Sequence, residues 1–210
     1  MPGRLLRSRR DTEEGLDPYL AFLVFAGLGL GMWAVAPPLR LTVLWIVLGT
    51  AVLLYAESGG LELDFSLLNL GRGVLLGLIV SLPLLVFLKD YLNAMAFKLY
   101  ATRDSLALFH RLVFIAAPIE EAFFRGYLQR ERGLMPAVGA YALAGLIYWL
   151  PGTPFLALLI IIGAMAGLGG IYGYVNQRYG LTASIGCSAV VYFVLMVCPG
   201  MIDAFVEMLV

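Results

Sequence analysis

Seven long apolar runs constrain this chain more than any other feature of its sequence. A helix needs about 20 predominantly apolar residues to cross the roughly 30 Å hydrocarbon core of a bilayer, and somewhat fewer when it packs inside a bundle. The runs that qualify lie at about 18–36, 40–56, 71–89, 105–128, 134–150, 154–175 and 181–198. We therefore expect an all-α integral membrane protein, folded as a compact bundle of about seven to eight transmembrane helices.

Three further stretches fit the membrane boundary better than its interior. The tail "MIDAFVEMLV" (201–210) follows "CPG" and is short enough for a partly interfacial eighth helix. The stretch "LELDFSLLNL" (61–70) interleaves apolar and polar residues, and "YLNAMAFKLYATRD" (91–104) carries Lys98 and aromatic side chains suited to a headgroup region. The expected fold accordingly includes one or two interfacial helices.

The composition supports a single membrane domain. Hydrophobic residues make up 61% of the chain and charged residues 13%, whereas soluble domains carry roughly 25% charged residues. Because the net charge is zero, no overall field favours nucleic acid as a partner. We expect a cytoplasmic N-terminal segment (1–17), a single polytopic membrane domain (18–210), and a lipid bilayer around it.

The basic residues predict which side of the membrane each end of the bundle faces. Cytoplasmic loops of membrane proteins carry the excess of Lys and Arg. With the N-terminus inside, the inner side receives Arg4, Arg7, Arg9, Arg10, Arg72, Arg130, Arg132 and Arg178, and the outer side receives Arg40, Lys89, Lys98 and Arg103. This bias predicts a cytoplasmic N-terminus, and we place the chain in the cytoplasmic (inner) membrane of a prokaryote.

Small residues recur at helical spacing in the sixth run. Gly163, Gly167 and Gly170 include the small-xxx-small pair "GAMAG". Such pairs let two helix backbones approach closely. We expect this stripe to pack within the chain, with a contact to another subunit as the alternative.

The segment "APIEEAFFRGYLQRE" (117–131) places charges in this apolar background. On a helix, Glu121 and Arg125 are i and i+4 and can form an ion pair. Glu120 is rotated by about 100° from Glu121 and faces elsewhere. A charged residue at the bilayer centre costs at least roughly 2.5 to 3.5 kcal/mol, so an unpaired carboxylate there is a candidate functional group. The plainer interpretation is that these charges mark the cytoplasmic end of their helix.

The same segment resembles the first motif of the CAAX protease and bacteriocin-processing (CPBP, or Abi) family of intramembrane proteases, whose usual pattern is E-E-x-x-F-R-G. Five residues match this motif: Glu120, Glu121, Phe124, Arg125 and Gly126. The resemblance covers a core of about 70–200. It implies a bundle of about eight helices with the motif on the fourth.

The resemblance also implies a catalytic arrangement. In that family the first glutamate activates a water molecule together with a histidine from the next helix, and a second histidine and an asparagine stabilise the oxyanion. Glu120, Glu121 and Arg125 are then the candidate catalytic residues. In this chain the positions of the two histidines and the asparagine are occupied by Trp149, Ser188 and Tyr192.

The single histidine of the chain, His110, does not fill this gap. It precedes Glu120 by ten residues, about 15 Å along a helix, and cannot share a proton with it. One histidine also lacks the ligand spacing of a zinc site, so neither a metal nor a cofactor is expected. A buried hydrogen-bonded cluster of Glu120 with Tyr148, Tyr192 and a water molecule remains open.

Three functions stay open from these residues. The first is a catalytically degenerate CPBP-family protein that acts as a scaffold or as an accessory subunit with other membrane proteins. The alternative is an active intramembrane endopeptidase with Glu120 as general base and Tyr192 or Ser188 as oxyanion donor. The third is a pigment-, lipid- or quinone-binding subunit, suggested by 12 Phe, 11 Tyr and 3 Trp residues.

Overall fold

The computed structural model describes residues 16–61, 65–150 and 152–209, and within these ranges the chain is helical, without a β-strand. Its helical rods are α1 (Pro18–Gly31), α2 (Pro37–Glu57), α3 (Leu67–Tyr100), α4 (105–132), α5 (Leu134–Trp149), α6 (Phe155–Tyr179) and α7 (Leu181–Leu209). The predicted cytoplasmic segment 1–17 lies outside the described residues except for its last two positions.

Four of these rods, α2, α3, α6 and α7, are long and apolar enough to cross a membrane. Two shorter rods, α1 and α5, are also apolar. The remaining rod, α4, carries the charged segment. The prediction of an all-α membrane bundle is confirmed.

Local sequence signals set the ends of the rods. The side chain of Asp104 caps α4 by accepting hydrogen bonds from the backbone N–H groups of Leu106 and Ala107. Gly133 and Gly180, with φ of 90° and 88°, separate α4 from α5 and α6 from α7. A positive φ is favourable for glycine, which has no Cβ, and these two positions let consecutive rods reverse direction.

The tail is not a separate eighth helix, because α7 continues from Leu181 to Leu209. Pro199 has no backbone N–H to donate, which would ordinarily interrupt a helix. A π-helical turn at Phe193–Val197 directly precedes the segment that contains Pro199, and it changes the hydrogen-bonding register there. The rod therefore passes through the proline instead of ending at it.

The stretch predicted to lie along the surface at 91–104 continues a membrane helix for most of its length. Residues up to Tyr100 belong to α3, whose 34 residues exceed what a single crossing needs. Of the other stretch, 61–70, residues 67–70 form the first turn of α3 and 62–64 lie outside the described residues. Both ends of α3 thus extend towards the membrane boundaries as parts of one helix.

Close backbone contact joins α3 to α7. A Cβ atom at Gly73 would lie 2.0 Å from the Ala183 carbonyl oxygen, and one at Gly77 would lie 2.7 Å from the Cys187 carbonyl oxygen. Real Cβ atoms do not approach other atoms this closely, so only glycine fits at either position. These two glycines let α7 pack directly against α3. The contact sets the position of α7 and therefore where the side chains of α7 reach the centre of the bundle.

The glycine stripe of α6 does not pack within the chain, and that prediction is wrong. A Cβ at Gly163, Gly167 or Gly170 would meet nothing within 4 Å. The inward face of α6 uses Gly169 and Gly173 instead, which lie against Tyr141 and Leu134 side chains. The reason is the rotation of α6 about its own axis. Gly169 and Gly173 are two and three residues away from Gly167 and Gly170, respectively, in the sequence, so they lie on another side of the helix.

One predicted outer-loop charge is buried. Arg40 lies in the first turn of α2 with 1% of its surface exposed, and its Nη2 donates a 2.6 Å hydrogen bond to the Tyr148 carbonyl oxygen. The last carbonyl groups of a helix have no partner within it, so the Tyr148 carbonyl near the end of α5 supplies an acceptor that the sequence alone did not indicate. Arg40 therefore carries no information about membrane orientation.

Candidate functional site

The charged segment lies in the irregular part of α4. π-helical turns at His110–Ala116 and Ala122–Leu128 flank the short α-helical stretch Ala117–Glu121. Pro118 lies at the start of this stretch, where its missing backbone N–H follows a wider turn. Inserted π turns are frequent at functional sites because they re-aim the side chains beside them. The two glutamates are thus held between two widened turns.

Glu120 accepts three hydrogen bonds from three other helices. Its Oε1 accepts from the Trp45 indole nitrogen on α2 and from the Tyr148 hydroxyl on α5, each at 3.0 Å. Its Oε2 accepts from the Tyr192 hydroxyl on α7 at 2.6 Å. The carboxyl group is 1% exposed, and these donors are all neutral side chains. We call these four residues the Glu120 cluster.

The tyrosines of the Glu120 cluster were predicted from the sequence, but Trp45 was missed. Tyr148 and Tyr192 bond directly to the carboxyl group. A tryptophan in the middle of an apolar run looks like core packing. The available signal was its N–H group, since a buried indole usually finds an acceptor.

Glu121 and Arg125 form the predicted ion pair, with 3.6 Å between Arg125 Nε and Glu121 Oε2 and both side chains 1% exposed. The guanidinium also donates from Nη2 to the Gly169 carbonyl oxygen at 3.1 Å and lies over the Tyr141 ring, 4.3 Å from its centroid. The Ser184 hydroxyl hydrogen-bonds to Glu121 Oε2. The pair therefore joins α4 to α5, α6 and α7.

This ion pair is less completely hydrogen-bonded than the Glu120 cluster. Within the described part of the chain, Glu121 Oε1 and the Nε and Nη1 atoms of Arg125 have no hydrogen-bond partner. The 3.6 Å separation of Nε and Oε2 is too long for a hydrogen bond. Coulomb attraction and the aromatic faces beside Arg125 hold this pair.

Trp149, Ser188 and Tyr192, which stand at the family's histidine and asparagine positions, differ in whether they contact Glu120. Trp149 is buried in the core, and the Ser188 hydroxyl donates to the Ile185 carbonyl oxygen of its own helix at 3.2 Å. Tyr192 is the one of the three with a described bond to Glu120. His110 is exposed and its ring contacts Phe109 and Phe114.

The described side chains do not assemble a metal site. In residues 16–61, 65–150 and 152–209, no group of three or more His, Cys, Asp or Glu side chains is close enough to hold a metal ion. The candidate site thus consists of one carboxyl group with neutral donors and one carboxylate with an arginine. Neither part contains an imidazole that could accept a proton from water.

A family comparison covers most of this site. Residues 102–194 match the model of the family described as "Type II CAAX prenyl endopeptidase Rce1-like". The matched stretch contains both glutamates and all of the described partners of Glu120 except Trp45. The chain has no match among curated proteins or among solved structures. The resemblance seen in the charged segment is confirmed: residues 102–194 are similar to the Rce1-like, CPBP-type family of CAAX prenyl endopeptidase-related membrane proteins.

Proposed function

We propose that this CPBP-family membrane protein is catalytically degenerate and acts as a scaffold or accessory subunit of a larger membrane complex. One observation carries the proposal. Glu120, which the family would use to activate water, instead accepts hydrogen bonds from Trp45, Tyr148 and Tyr192. Three of the roughly four acceptor positions of this carboxyl group are taken by donors of the bundle itself.

The chemistry of these donors argues against hydrolysis. A general base is efficient when the groups around it can take up and return a proton near the working pH. An indole is a donor only, and a phenol does not readily accept a proton near neutral pH. The Glu120 cluster can hold a carboxyl group in place but lacks a side chain that completes proton transfer.

A structural role accounts for the cluster without catalysis. Its hydrogen bonds connect α4 with α2, α5 and α7 at the centre of the bundle. A typical hydrogen bond within a protein contributes about 0.5–1.5 kcal/mol, and a well-partnered buried network also favours one arrangement of the helices. The cluster therefore suits a rigid bundle that presents a constant outer surface.

The outer surface offers a place for a partner subunit. Gly163 and Gly167 of α6 face outwards with open space in front of them. Small residues four apart allow a second helix to approach closely inside a membrane. This face supports the accessory-subunit part of the proposal, with another transmembrane helix as the partner.

The test combines purification with a cleavage assay. We expect protein extracted in mild detergent to co-purify with partner proteins in fixed ratio, and to leave prenylated CAAX-type peptides uncut. Cleavage by the wild-type chain that disappears in Glu120→Gln would overturn the proposal. Glu57→Gln, which alters an exposed carboxylate at the end of α2, is the matched control.

A second candidate function is an active endopeptidase, favoured by the position of Tyr192. Its hydroxyl lies 2.6 Å from Glu120 Oε2, and in the sequence Tyr192 stands at the position that the resemblance assigns to the family's oxyanion-stabilising asparagine. In that case Tyr192→Phe would lower the cleavage rate while Ser188→Ala, which loses a bond within its own helix, would leave it unchanged. If neither variant nor wild type cleaves the peptides, the second candidate is excluded.

A further inference from the structure

A groove of about 600 Å³ lies between α2 and α4, on the side of the bundle. This volume is in the range of sites that hold small organic ligands, about 300–1,000 Å³. Its walls include Ile46 and Leu53 from α2 and Ile115 from α4, which are 60%, 65% and 45% exposed. The groove is therefore open to the surroundings of the bundle, and the described side chains do not fill it.

The groove offers apolar surface but almost no hydrogen-bonding groups. Two threonines line it, and both hydroxyls are already used within α2. Thr42 donates to the Pro38 carbonyl oxygen at 2.9 Å, and Thr50 donates to the Ile46 carbonyl oxygen at 2.8 Å. What remains along most of the groove is hydrocarbon, which suits an apolar chain.

A cation lies at one end of this apolar groove. Arg111 is exposed, lines the groove and has no ion-pair or hydrogen-bond partner among the described residues. A charged group on a membrane helix is costly unless it reaches the headgroup region or meets an opposite charge. Arginine pairs well with phosphate, because its planar fork of N–H donors matches two phosphate oxygens.

The direction of the helices places this cation towards a membrane surface. Gly49 of α2 faces Ile119 of α4, and further along both helices the Tyr55 hydroxyl donates to Glu131. The two helices therefore run in the same direction, with Arg111 nearer to their N-terminal ends. From that end an arginine side chain can extend towards the headgroups.

The length of the groove matches one leaflet. From Thr42 to Leu53, α2 rises by about 16 Å at the usual 1.5 Å per residue. Half of a roughly 30 Å hydrocarbon core is about 15 Å. A single acyl chain that begins at the headgroup level would thus end near the inner end of the groove.

We propose that this groove binds one anionic glycerophospholipid, with its phosphate on Arg111 and one acyl chain along α2 and α4. The chain passes Trp45, which lines the groove and also donates to Glu120. The site does not depend on whether the protein is catalytic. It is distinct from the subunit contact at Gly163 and Gly167, which lies on α6.

The binding experiment uses the full chain in detergent and counts retained lipids by native mass spectrometry. The probes are phosphatidylglycerol and a diacylglycerol with the same acyl chains. We expect one phosphatidylglycerol to be retained preferentially, and Arg111→Gln to weaken it about fivefold, the effect of the roughly 1 kcal/mol that one basic residue contributes near an anionic membrane surface. Equal retention of the two lipids would overturn the proposal, since it would indicate only a nonselective surrounding lipid.

Three controls separate the charge, the groove and the fold. Arg178→Gln removes an exposed cation from the far end of α6 and should leave lipid binding unchanged. Ile46 is an exposed wall residue, so the larger side chain of Ile46→Trp should fill the groove and prevent lipid binding.

Arg111→Lys keeps the positive charge and should retain most of the binding. The unfolding temperatures of all variants in lipid-free detergent should match that of the wild type. If Arg111→Gln and Arg178→Gln bind alike, or if millimolar inorganic phosphate displaces the lipid, the assignment is wrong.

Discussion

At the scale of single residues, the adjacent glutamates of α4 have different surroundings. Glu120 is held by three neutral donors, whereas Glu121 is held by Arg125 and the Ser184 hydroxyl. Removing one member of a buried ion pair leaves an uncompensated charge, whereas removing a hydrogen-bonded carboxyl group leaves its donors unpaired. Both losses are costly, but only the second exposes donors on three other helices at once.

Replacing Glu120 should therefore destabilise the bundle in a graded way. Glu120→Ala leaves three buried donors without their acceptor, at about 1–3 kcal/mol for each donor that finds no other partner. Glu120→Gln keeps one oxygen for Trp45 and Tyr148 and can donate its N–H to the Tyr192 hydroxyl, so its loss should be smaller. Thermal unfolding in detergent measures the stability of the two variants relative to the wild type.

The control for this series is Glu57→Gln, an exposed carboxylate on α2 that should unfold as the wild type does. A Glu120→Ala protein as stable as wild type would show that the cluster does not hold the helices together.

Most of the Glu120 cluster could be predicted from the charged segment and the later tyrosines. The indole of Trp45 could not, because the direction in which α2 faces α4 is a tertiary property.

At the scale of secondary-structure elements, the contact of α3 with α7 decides where Tyr192 points. Gly73 and Gly77 let the backbone of α7 approach α3 at Ala183 and Cys187. Tyr192 lies further along the same helix and reaches Glu120 from there. The spacing of the two rods thus sets the geometry of the Glu120 cluster.

A methyl group at this contact should separate the two helices. Gly73→Ala would put a Cβ 2.0 Å from a backbone carbonyl oxygen, which cannot move aside as a flexible side chain could. We expect Gly73→Ala to lower the free energy of unfolding by about 1–3 kcal/mol, as overpacking typically does. Thermal unfolding in detergent would show this loss as a lower unfolding temperature.

The same helix offers a matched control for that substitution. Gly71 has open space in front of its Cβ position, so Gly71→Ala should be neutral or stabilising by up to about 1 kcal/mol, because alanine favours the helix over glycine. Similar destabilisation by both variants would mean that helix propensity, and not contact with α7, accounts for the effect.

At the scale of the whole molecule, the exposed charged groups, unlike the buried ones of α4, lie towards the two ends of the bundle. At one end, Arg132 pairs with Asp17 at 2.5 Å and Arg72 lies over the Tyr179 ring. At the opposite end, Lys98 donates to the Gly152 carbonyl oxygen at 2.7 Å. The sequence before this end adds Arg4, Arg7, Arg9 and Arg10, and this excess of basic residues supports our proposal that this end, with the N-terminus, faces the cytoplasm.

Cysteine labelling in intact cells tests this orientation. Arg178→Cys and Arg103→Cys place exposed thiols near the two ends of the bundle. We expect a membrane-impermeant maleimide to label Arg103→Cys in intact cells and Arg178→Cys only after the cells are opened. The reverse pattern would place the N-terminus outside, and the wild-type chain with its buried Cys187 and partly buried Cys198 reports the background.

The sequence by itself determined the membrane class, the helical runs, the family motif and the pairing of Glu121 with Arg125. These follow from local composition and from spacing along one helix, which need no knowledge of neighbouring helices. Tertiary structure decided that Trp45 reaches Glu120, that Arg40 is buried, and that the Gly163 and Gly167 face of α6 points outwards. The physical reason is that the rotation and depth of each helix in a bundle are set by close packing between helices, and apolar runs with apolar residues on every side do not encode that rotation in their own sequence.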